Sequence, residues 1–287
     1  MVTRISKKIY LYLIFLFLYA PIIILVIYSF NESKSRGVWS GFTLKWYREL
    51  FNDREIASAL YNTVAIAVLS SIIATIIGTA AALGIYNMKK FAKTIIMNLT
   101  YLPVLNPDIV TGVSLMLLFV FIKSFTNIGL GFFTMLLAHI TFNIPYVILS
   151  VLPKLRQFDK HIYEAALDLG STPFYAISKV VIPEIAPGIV TGFLLAFTLS
   201  IDDFVISFFT TGSGVSNLSI YIYSMARRGI NPKINALSTL MFTTVLILLL
   251  IINKRTSKNG TGDSNINLIK SSNNDKNKNL KGGYNAA

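Results

Sequence analysis

Six long, mostly apolar runs, four of them without a charged residue, constrain the fold of this 287-residue chain more than any other feature of its sequence. A helix needs about 20 such residues to cross the hydrocarbon core of a bilayer. The runs lack the alternation of apolar and polar residues that is typical of a membrane β-strand. The sequence therefore predicts an all-α membrane protein with six transmembrane helices, at residues 9–30, 62–86, 99–122, 129–152, 185–210 and 234–253.

Residues inside these runs predict contacts between helices and breaks within them. Small residues let two membrane helices approach closely. The third run is interrupted by prolines and one carboxylate, and the fifth by two adjacent carboxylates. The small residues in question are Ala80, Ala81, Ala82 and Gly84 in the second run, and Gly188 and Gly192 in the fifth.

Composition sets the domain boundary and excludes several classes of protein. Only 14% of the residues are charged, which is too few for an ordinary soluble domain. The absence of Cys excludes a disulfide scaffold, and two His are too few for a multi-His metal centre. Residues 256–287 are rich in Asn, Ser, Lys and Gly, so we expect a disordered polar tail after a six-span domain at residues 1–255. Its basic residues favour attraction to anionic lipid over binding to RNA.

The distribution of Lys and Arg predicts the orientation in the membrane. Loops on the cytoplasmic side carry an excess of basic residues. With both termini cytoplasmic, the inner segments hold 17 of the 26 Lys and Arg. The first outer loop, with five, weakens this bias. We expect a multi-pass protein of the cell (plasma or inner) membrane with a cytoplasmic N-terminus and C-terminus.

The polar segment at about residues 153–184, between the fourth and fifth runs, carries the most specific pattern in the chain. Residues 163–187 read YEAALDLGSTPFYAISKVVIPEIAP. A helix-forming stretch ends at Gly170, where a left-handed residue is inexpensive. Ser171 or Thr172 can cap a second short helix that begins with Pro173 and is broken at Pro183. Such a pair of helices either docks on a soluble partner or forms a loop without one.

This segment resembles the EAA signature of the binding-protein-dependent ABC transporter permeases. The resemblance implies the type I ABC importer permease (MetI-like) fold, with residues 153–184 as the loop that couples the membrane domain to an ATPase. It implies an ATPase contact made by Glu164, Ala165, Ala166, Gly170 and Pro183. The chain lacks the G-x4-G-K-[ST] phosphate loop. We therefore expect a transporter permease subunit and no enzyme, with no cofactor on this chain and with ATP and Mg bound by a partner ATPase.

Three carboxylates within the runs are candidates for a cation pathway. Asp108 lies in the third run, and Asp202 and Asp203 lie in the fifth. An ionisable residue inside a span costs about 2.5–3.5 kcal/mol on insertion scales, so it usually has a function. Alternatively, these residues cap the ends of broken helices. Adjacent Asp residues point about 100° apart on a helix, which makes an intramembrane aspartyl dyad a poor alternative.

The stretches that contain Asp108, Asp202 and Asp203 resemble the spermidine/putrescine permeases of the family. This resemblance extends over about residues 5–253. The resemblance implies a polyamine importer made of this permease, a second homologous permease, two copies of an ATPase and an extracytoplasmic polyamine-binding protein, without nucleic acid. It implies substrate contacts along the pathway by Asp108, Ser200, Asp202, Asp203 and Trp46. Trp46 could instead be an interfacial anchor. Another small solute, such as a sugar, an anion, iron or an amino acid, is the alternative cargo.

The two histidines have simpler interpretations. We interpret His139, in an apolar run, as a hydrogen-bonded packing residue. We expect His161 to be solvated or to lie at the contact with the ATPase. Neither has the partners that a metal site needs.

Overall fold

The chain is helical in the computed structural model, which describes residues 2–33, 38–126, 129–212, 214–228, 232–247 and 250, with side chains from residue 8 onward. Asn31 and Phe42 form an isolated β-bridge. A π-helical turn, Ile177–Val181, lies between α8 and α9. The helices are α1 Val2–Tyr28, α2 Lys45–Phe51, α3 Arg54–Asn87, α4 Lys90–Leu105, α5 Asp108–Thr126, α6 Phe132–Gln157, α7 Lys160–Asp168, α8 Pro173–Ala176, α9 Ile182–Asp202, α10 Val205–Thr210, α11 Leu218–Arg228 and α12 Pro232–Ile247.

The predicted all-helical membrane fold is confirmed. Five helical segments are long and apolar enough to cross a membrane, and α12 is a shorter apolar helix at the position of the sixth predicted span. The last residues of that predicted span and the predicted tail, 256–287, lie outside the described residues. The five segments are Lys8–Tyr28, Arg54–Asn87, Asp108–Thr126, Phe132–Gln157 and Pro173–Asp202.

Helices α3, α6 and α9 form the centre of the bundle, and glycines set their separation. A Cβ atom at Gly192 of α9 would lie 3.2 Å from the Val147 Cα atom of α6. A Cβ atom at Gly188 would lie 3.0 Å from the Ser150 carbonyl oxygen. The predicted role of these two glycines is confirmed. In α3 the close contact falls on Gly78, whose added Cβ would lie 2.7 Å from the Val147 Cβ atom, whereas nothing lies within 4 Å at Gly84.

Both predicted interruptions are real breaks between helices. The third predicted span is divided between α4 and α5, which begins at Asp108 directly after Pro107. The fifth is divided between α9, which ends at Asp202, and α10, which begins at Val205. Carboxylates therefore lie at helix ends inside the apolar part of the chain, where free backbone groups are available to them.

The predicted break at Pro183 is wrong. The helix continues from Pro173 through this proline to Asp202. In the π-helical turn Ile177–Val181 the backbone hydrogen bonds reach one residue further back than in an α-helix, and the Ile182 N–H donates to the Ile177 carbonyl oxygen. Pro183 follows directly, as the second residue of α9. A π-helical turn beside a proline lets the helix adapt locally to the missing donor.

The first helix stands apart from the bundle. All side chains at residues 8–19 are exposed, and most of them are large and apolar. Lipid or another membrane chain must cover such a surface, because exposed apolar area of this extent is unfavourable in water.

Candidate functional site: a broken span with carboxylates and a coupling loop

The break between α9 and α10 separates the two adjacent carboxylates into different surroundings. Asp202 is the last residue of α9, and it is exposed. It forms no ion pair with a basic side chain within the part of the chain that the structure describes. Its backbone carbonyl oxygen lies 3.5 Å from the Ser219 hydroxyl, which donates to it from α11. Asp202 is thus a carboxylate open to its surroundings at the end of a transmembrane helix.

Asp203 faces the protein interior and holds the start of α10. Its side chain is 8% exposed. The two carboxylate oxygens accept hydrogen bonds from the Ile206 N–H at 3.2 Å and from the Ser207 N–H at 2.8 Å. These are free donors at the N-terminus of α10, and a carboxylate there is stabilised by the helix dipole. The geometry is that of a helix cap.

A buried polar cluster fixes Asp203 from the other side. His139 Nε2 of α6 lies 3.5 Å from the Asp203 Oδ2 atom and 2.9 Å from the Ser207 hydroxyl oxygen. The Asn217 side-chain amide donates to the Ser207 hydroxyl at 2.8 Å and to the Asp203 carbonyl oxygen at 3.1 Å. The expected packing role of His139 fits this position, which ties α6, α10 and the start of α11 together.

Ser200 lies in a second buried cluster, one helical turn before the break. Its hydroxyl is hydrogen-bonded to the Ser70 hydroxyl of α3 at 3.1 Å. The Asn143 side-chain amide of α6 donates to the Ser200 hydroxyl at 2.8 Å. Ser200 is 2% exposed, so its hydroxyl joins the three central helices.

Asp108 lies on the same side of the bundle as the α9–α10 break. It is exposed and is the first residue of α5. Helix α10 packs on α5 at Gly112, one turn further on, where an added Cβ would lie 3.0 Å from the Phe209 ring. The structure therefore places Asp108 and the Asp202–Asp203 pair beside the same short helix.

Trp46 belongs to a separate cluster at the end of the bundle where α3 begins. It is 4% exposed, and its indole N–H donates to the Asn31 carbonyl oxygen at 2.7 Å. It packs in a cluster that includes Ala236 of α12 and Leu218, the first residue of α11. Since Ser219 contacts Asp202, helix α11 connects this cluster to the carboxylates.

At the opposite end of the bundle, the first predicted short helix is observed as α7, whereas the second is the start of the continuous helical segment Pro173–Asp202. Helix α7 ends in a Schellman motif: the Gly170 N–H donates to the Leu167 carbonyl oxygen at 2.8 Å, and the Ser171 N–H donates to the Ala166 carbonyl oxygen at 3.1 Å. Gly170 has a φ of 88°. Thr172 is the residue that caps α8, and its hydroxyl accepts from the Tyr175 N–H at 3.4 Å.

This loop presents apolar and acidic side chains to its surroundings. Leu169 is 88% exposed and Phe174 is 82% exposed. Glu164 is 3.3 Å from the His161 ring, and both side chains are exposed. Of the other predicted contact residues, Ala165, Gly170 and Pro183 are exposed and Ala166 is half-buried. Exposed apolar side chains on a structured loop are typical of a docking surface.

The sequence did not indicate the residues that support Asp203 and Ser200. Asp203 is held by Ser207, Asn217 and His139, and Ser200 is held by Ser70 and Asn143. A signal existed for Asn143, which is a lone amide in an apolar run and must find a partner when buried there. None existed for the pairings, which join residues up to 130 positions apart. In the described ranges, no group of three or more His, Asp and Glu side chains is arranged to hold a metal ion.

Comparisons with known proteins agree with the fold. Residues 74–254 match the family described as "Binding-protein-dependent transport system inner membrane component". The chain is 36% identical over 266 residues to the spermidine/putrescine transport system permease protein PotC of Escherichia coli (strain K12), covering 92% of this chain and 99% of PotC. It is 42% identical over 237 residues to the putrescine transport system permease protein PotI of the same strain, covering 82% of this chain and 84% of PotI.

Solved structures share the architecture at lower identity. A chain of a bacterial alginate ABC transporter, in complex with its pentasaccharide-bound periplasmic protein, aligns with a TM-score of 0.66 at 19% identity, covering 90% of this chain and 93% of that one. A chain of the MetNI methionine ABC transporter aligns with a TM-score of 0.57 at 18% identity, covering 76% and 99%. The resemblance indicated by the sequence is confirmed, and the chain belongs to the family of binding-protein-dependent transport system inner membrane components.

Proposed function

We propose that this chain is the membrane permease subunit of an ATP-driven importer of polyamines such as spermidine and putrescine. The observation that carries the proposal is the similarity to PotC and PotI over nearly the whole chain. The exposed Asp202 at the break of a span supports it, because an unpaired carboxylate at that place attracts cations.

The exposed carboxylates are the cation contacts in this proposal. Asp108 and Asp202 are open and lie beside the same short helix, so their charges attract ammonium groups of the substrate. Asp203 and Ser200 already have partners within the bundle, and we assign them the task of holding the break in place. Trp46 steadies the end of the pathway through the cluster that reaches α11. Binding at these contacts must be weak enough to release the substrate again.

The coupling loop carries the movement of an ATPase to the transmembrane helices. Glu164, Ala165, Ala166 and Gly170 form the contact, and the exposed Leu169 and Phe174 side chains add apolar area to it. The helix that follows the loop is continuous through Pro183 to Asp202. A displacement of the loop is therefore transmitted along one rigid element to the carboxylates. ATP and Mg are bound by the ATPase, since this chain has no phosphate loop.

The assembly contains two ATPase copies, a second homologous permease and an extracytoplasmic polyamine-binding protein. The chain lies in the cell membrane with both termini in the cytoplasm, as the distribution of basic residues indicates. The exposed apolar surface of α1 needs lipid or a partner permease to cover it.

Uptake of labelled spermidine tests the cargo. Cells without polyamine transport of their own express this chain with the partner genes, and unlabelled putrescine, sugars, anions and amino acids serve as competitors. ATP-dependent uptake that only polyamines inhibit is the expected result. An assembled complex that takes up no polyamine, or one that a sugar, an anion or an amino acid inhibits, would overturn the assignment of the cargo.

A further inference from the structure

Three aromatic rings gather beside the break between α9 and α10. The Phe204 and Tyr223 ring centroids are 4.7 Å apart, those of Phe204 and Phe208 are 5.4 Å apart, and those of Phe208 and Tyr223 are 6.0 Å apart. All three distances are in the range of favourable ring packing. We refer to Phe204, Phe208 and Tyr223 as the aromatic cluster.

The aromatic cluster is adjacent to Asp202. Phe204 follows Asp202 by two residues in the chain. Tyr223 follows Ser219 by one helical turn and so lies on the same face of α11. The Ser219 hydroxyl donates to the Asp202 carbonyl oxygen, which brings this face of α11 to the end of α9.

Two rings of the aromatic cluster are exposed, as Asp202 is. Phe208 is 45% exposed and Tyr223 is 41% exposed, although rings of this size are usually buried. Asp202, two residues before Phe204 in the chain, is also exposed.

One ring of the cluster already holds a cation. The Arg227 guanidinium lies over the Tyr223 ring, 5.9 Å from its centroid. Arg227 is exposed and has no acidic partner among the residues that the structure describes. A face of the Tyr223 ring is thus arranged for cation–π contact.

We propose that the aromatic cluster is a subsite that takes the part of an aliphatic polyamine beyond the ammonium group held by Asp202. Such a substrate alternates ammonium groups with methylene segments. The ring faces of Phe204 and Phe208 pack against methylene groups, and Tyr223 accepts the next ammonium group in place of Arg227. The inference rests on the proposed function, and it adds residues that discriminate polyamines from compact cations.

Arg227 acts as an internal competitor in this subsite. Its guanidinium occupies a face of the Tyr223 ring and repels an approaching polycation. Substrate binding must displace it, which lowers the affinity and favours release. Removal of the Arg227 charge therefore strengthens binding of the polyamine.

Equilibrium dialysis tests the subsite. Labelled spermidine is dialysed against the purified complex of permeases and ATPase, without the binding protein, with and without ATP.

We expect Tyr223→Leu and Phe208→Leu to weaken binding about threefold to tenfold, the range of a cation–π or ring contact. Tyr223→Phe keeps the ring and stays within about twofold of the wild type. Arg227→Gln binds more tightly. Phe125→Leu, in an exposed aromatic pair on α5, is the matched control and leaves binding unchanged.

The results separate this inference from the function on which it rests. If cells take up spermidine but Tyr223→Leu and Phe208→Leu bind it as tightly as the wild type, the subsite is refuted and the function stands. Weaker binding by Arg227→Gln would refute the competitor role. If the assembled wild-type complex transports no polyamine, the function fails and the subsite fails with it.

Discussion

Two neighbouring carboxylates, Asp202 and Asp203, are placed so differently that they must have different roles. Asp202 is exposed, with no ion pair in the described part of the chain. Asp203 is nearly enclosed and accepts two backbone hydrogen bonds while it contacts His139. The end of α9 between them turns one side chain outward and the other inward. We therefore propose that Asp202 contacts the substrate and that Asp203 holds the break between α9 and α10 in place.

The buried cap predicts a loss of stability when Asp203 is truncated. Asp203→Ala leaves two backbone N–H groups without their acceptors, and we expect it to destabilise the folded chain by about 1–3 kcal/mol. Asp203→Asn restores part of the loss, because its single amide oxygen accepts one of the two backbone hydrogen bonds. Thermal unfolding of the purified complex measures the effect, with Asp202→Ala as the exposed neighbour for comparison. Equal melting temperatures for Asp203→Ala and the wild type would show that the cap contributes nothing.

At the scale of residues, the sequence identifies candidate site residues, but it does not predict which contacts each of them makes. Carboxylates in apolar runs are visible from their cost alone, and all three lie at helix ends. The different surroundings of Asp202 and Asp203 depend on His139, which contacts Asp203 from another helix. Trp46 illustrates the same limit, since its burial depends on contacts with α11 and α12. Its predicted contact with substrate or binding protein stays a prediction.

At the scale of single elements, the close contact of α3 with α6 at Gly78 predicts the effect of a substitution on stability. A methyl group at Gly78 meets the Val147 side chain at 2.7 Å, so Gly78→Ala must push α3 and α6 apart. We expect a destabilisation of about 1–3 kcal/mol, the usual cost of overpacking. Gly84→Ala in the same helix adds the same methyl group in open space and is the matched control. The melting temperature and the yield of the assembled complex measure both, and equal values for the two variants would contradict the assigned crossing.

The turn at Gly170, between α7 and α8, gives a second prediction about a glycine substitution. Gly170 has a φ of 88° and nothing within 4 Å of an added Cβ, so its substitution costs only backbone strain. We expect Gly170→Val to distort the turn at a cost of about 1–3 kcal/mol. Gly170→Asn, which tolerates this conformation better, is the control.

The readout is the number of ATP molecules hydrolysed for each polyamine transported. A distorted loop uncouples the two processes, so the ratio rises in Gly170→Val and stays near the wild-type value in Gly170→Asn. An unchanged ratio in Gly170→Val, in an assembled complex, argues against a role of this turn in coupling.

The elements themselves were largely predictable because their signals are local. The turn at Gly170 and the start of α8 at Pro173 follow from capping preferences within a few residues. The break before α5 follows from Pro107. The continuation through Pro183 could not be predicted, because a π-helical turn depends on how the helix packs as much as on the residues within it.

At the scale of the whole molecule, α9 connects the exposed loop at one end of the bundle to Asp202 at the other. The exposed loop lies at one end, and α9 leads from it past Gly188 and Gly192, where it packs on α6, to the open carboxylate. Both glycine contacts keep α9 close to α6. The overall fold was predictable from the apolar runs and the EAA signature. The pairing of α3 with α6 and α9 was not, because it depends on contacts between distant segments.

The docking surface of the loop gives a prediction for the assembly. Glu164 is exposed beside His161, and reversal of its charge should oppose the contact with the ATPase. We expect Glu164→Lys to weaken co-purification of the ATPase at least about tenfold, because a misplaced charge at an interface costs several kcal/mol. Glu164→Gln, which removes the charge without reversing it, has a smaller effect. An ATPase that co-purifies with Glu164→Lys in wild-type amounts would place the contact elsewhere.

The most direct test of the central claim is spermidine uptake by the reconstituted complex with and without the Asp202 charge. Proteoliposomes contain this chain, its partner permease and the ATPase, and they receive labelled spermidine on the binding protein together with ATP. We predict ATP-dependent uptake by the wild type, and a rate at least about tenfold lower for Asp202→Asn in an equally assembled complex, since a loss of about 1.4 kcal/mol of attraction for the cation corresponds to a factor of ten. Wild-type rates in Asp202→Asn would contradict the claim that this carboxylate at the broken span receives the cation.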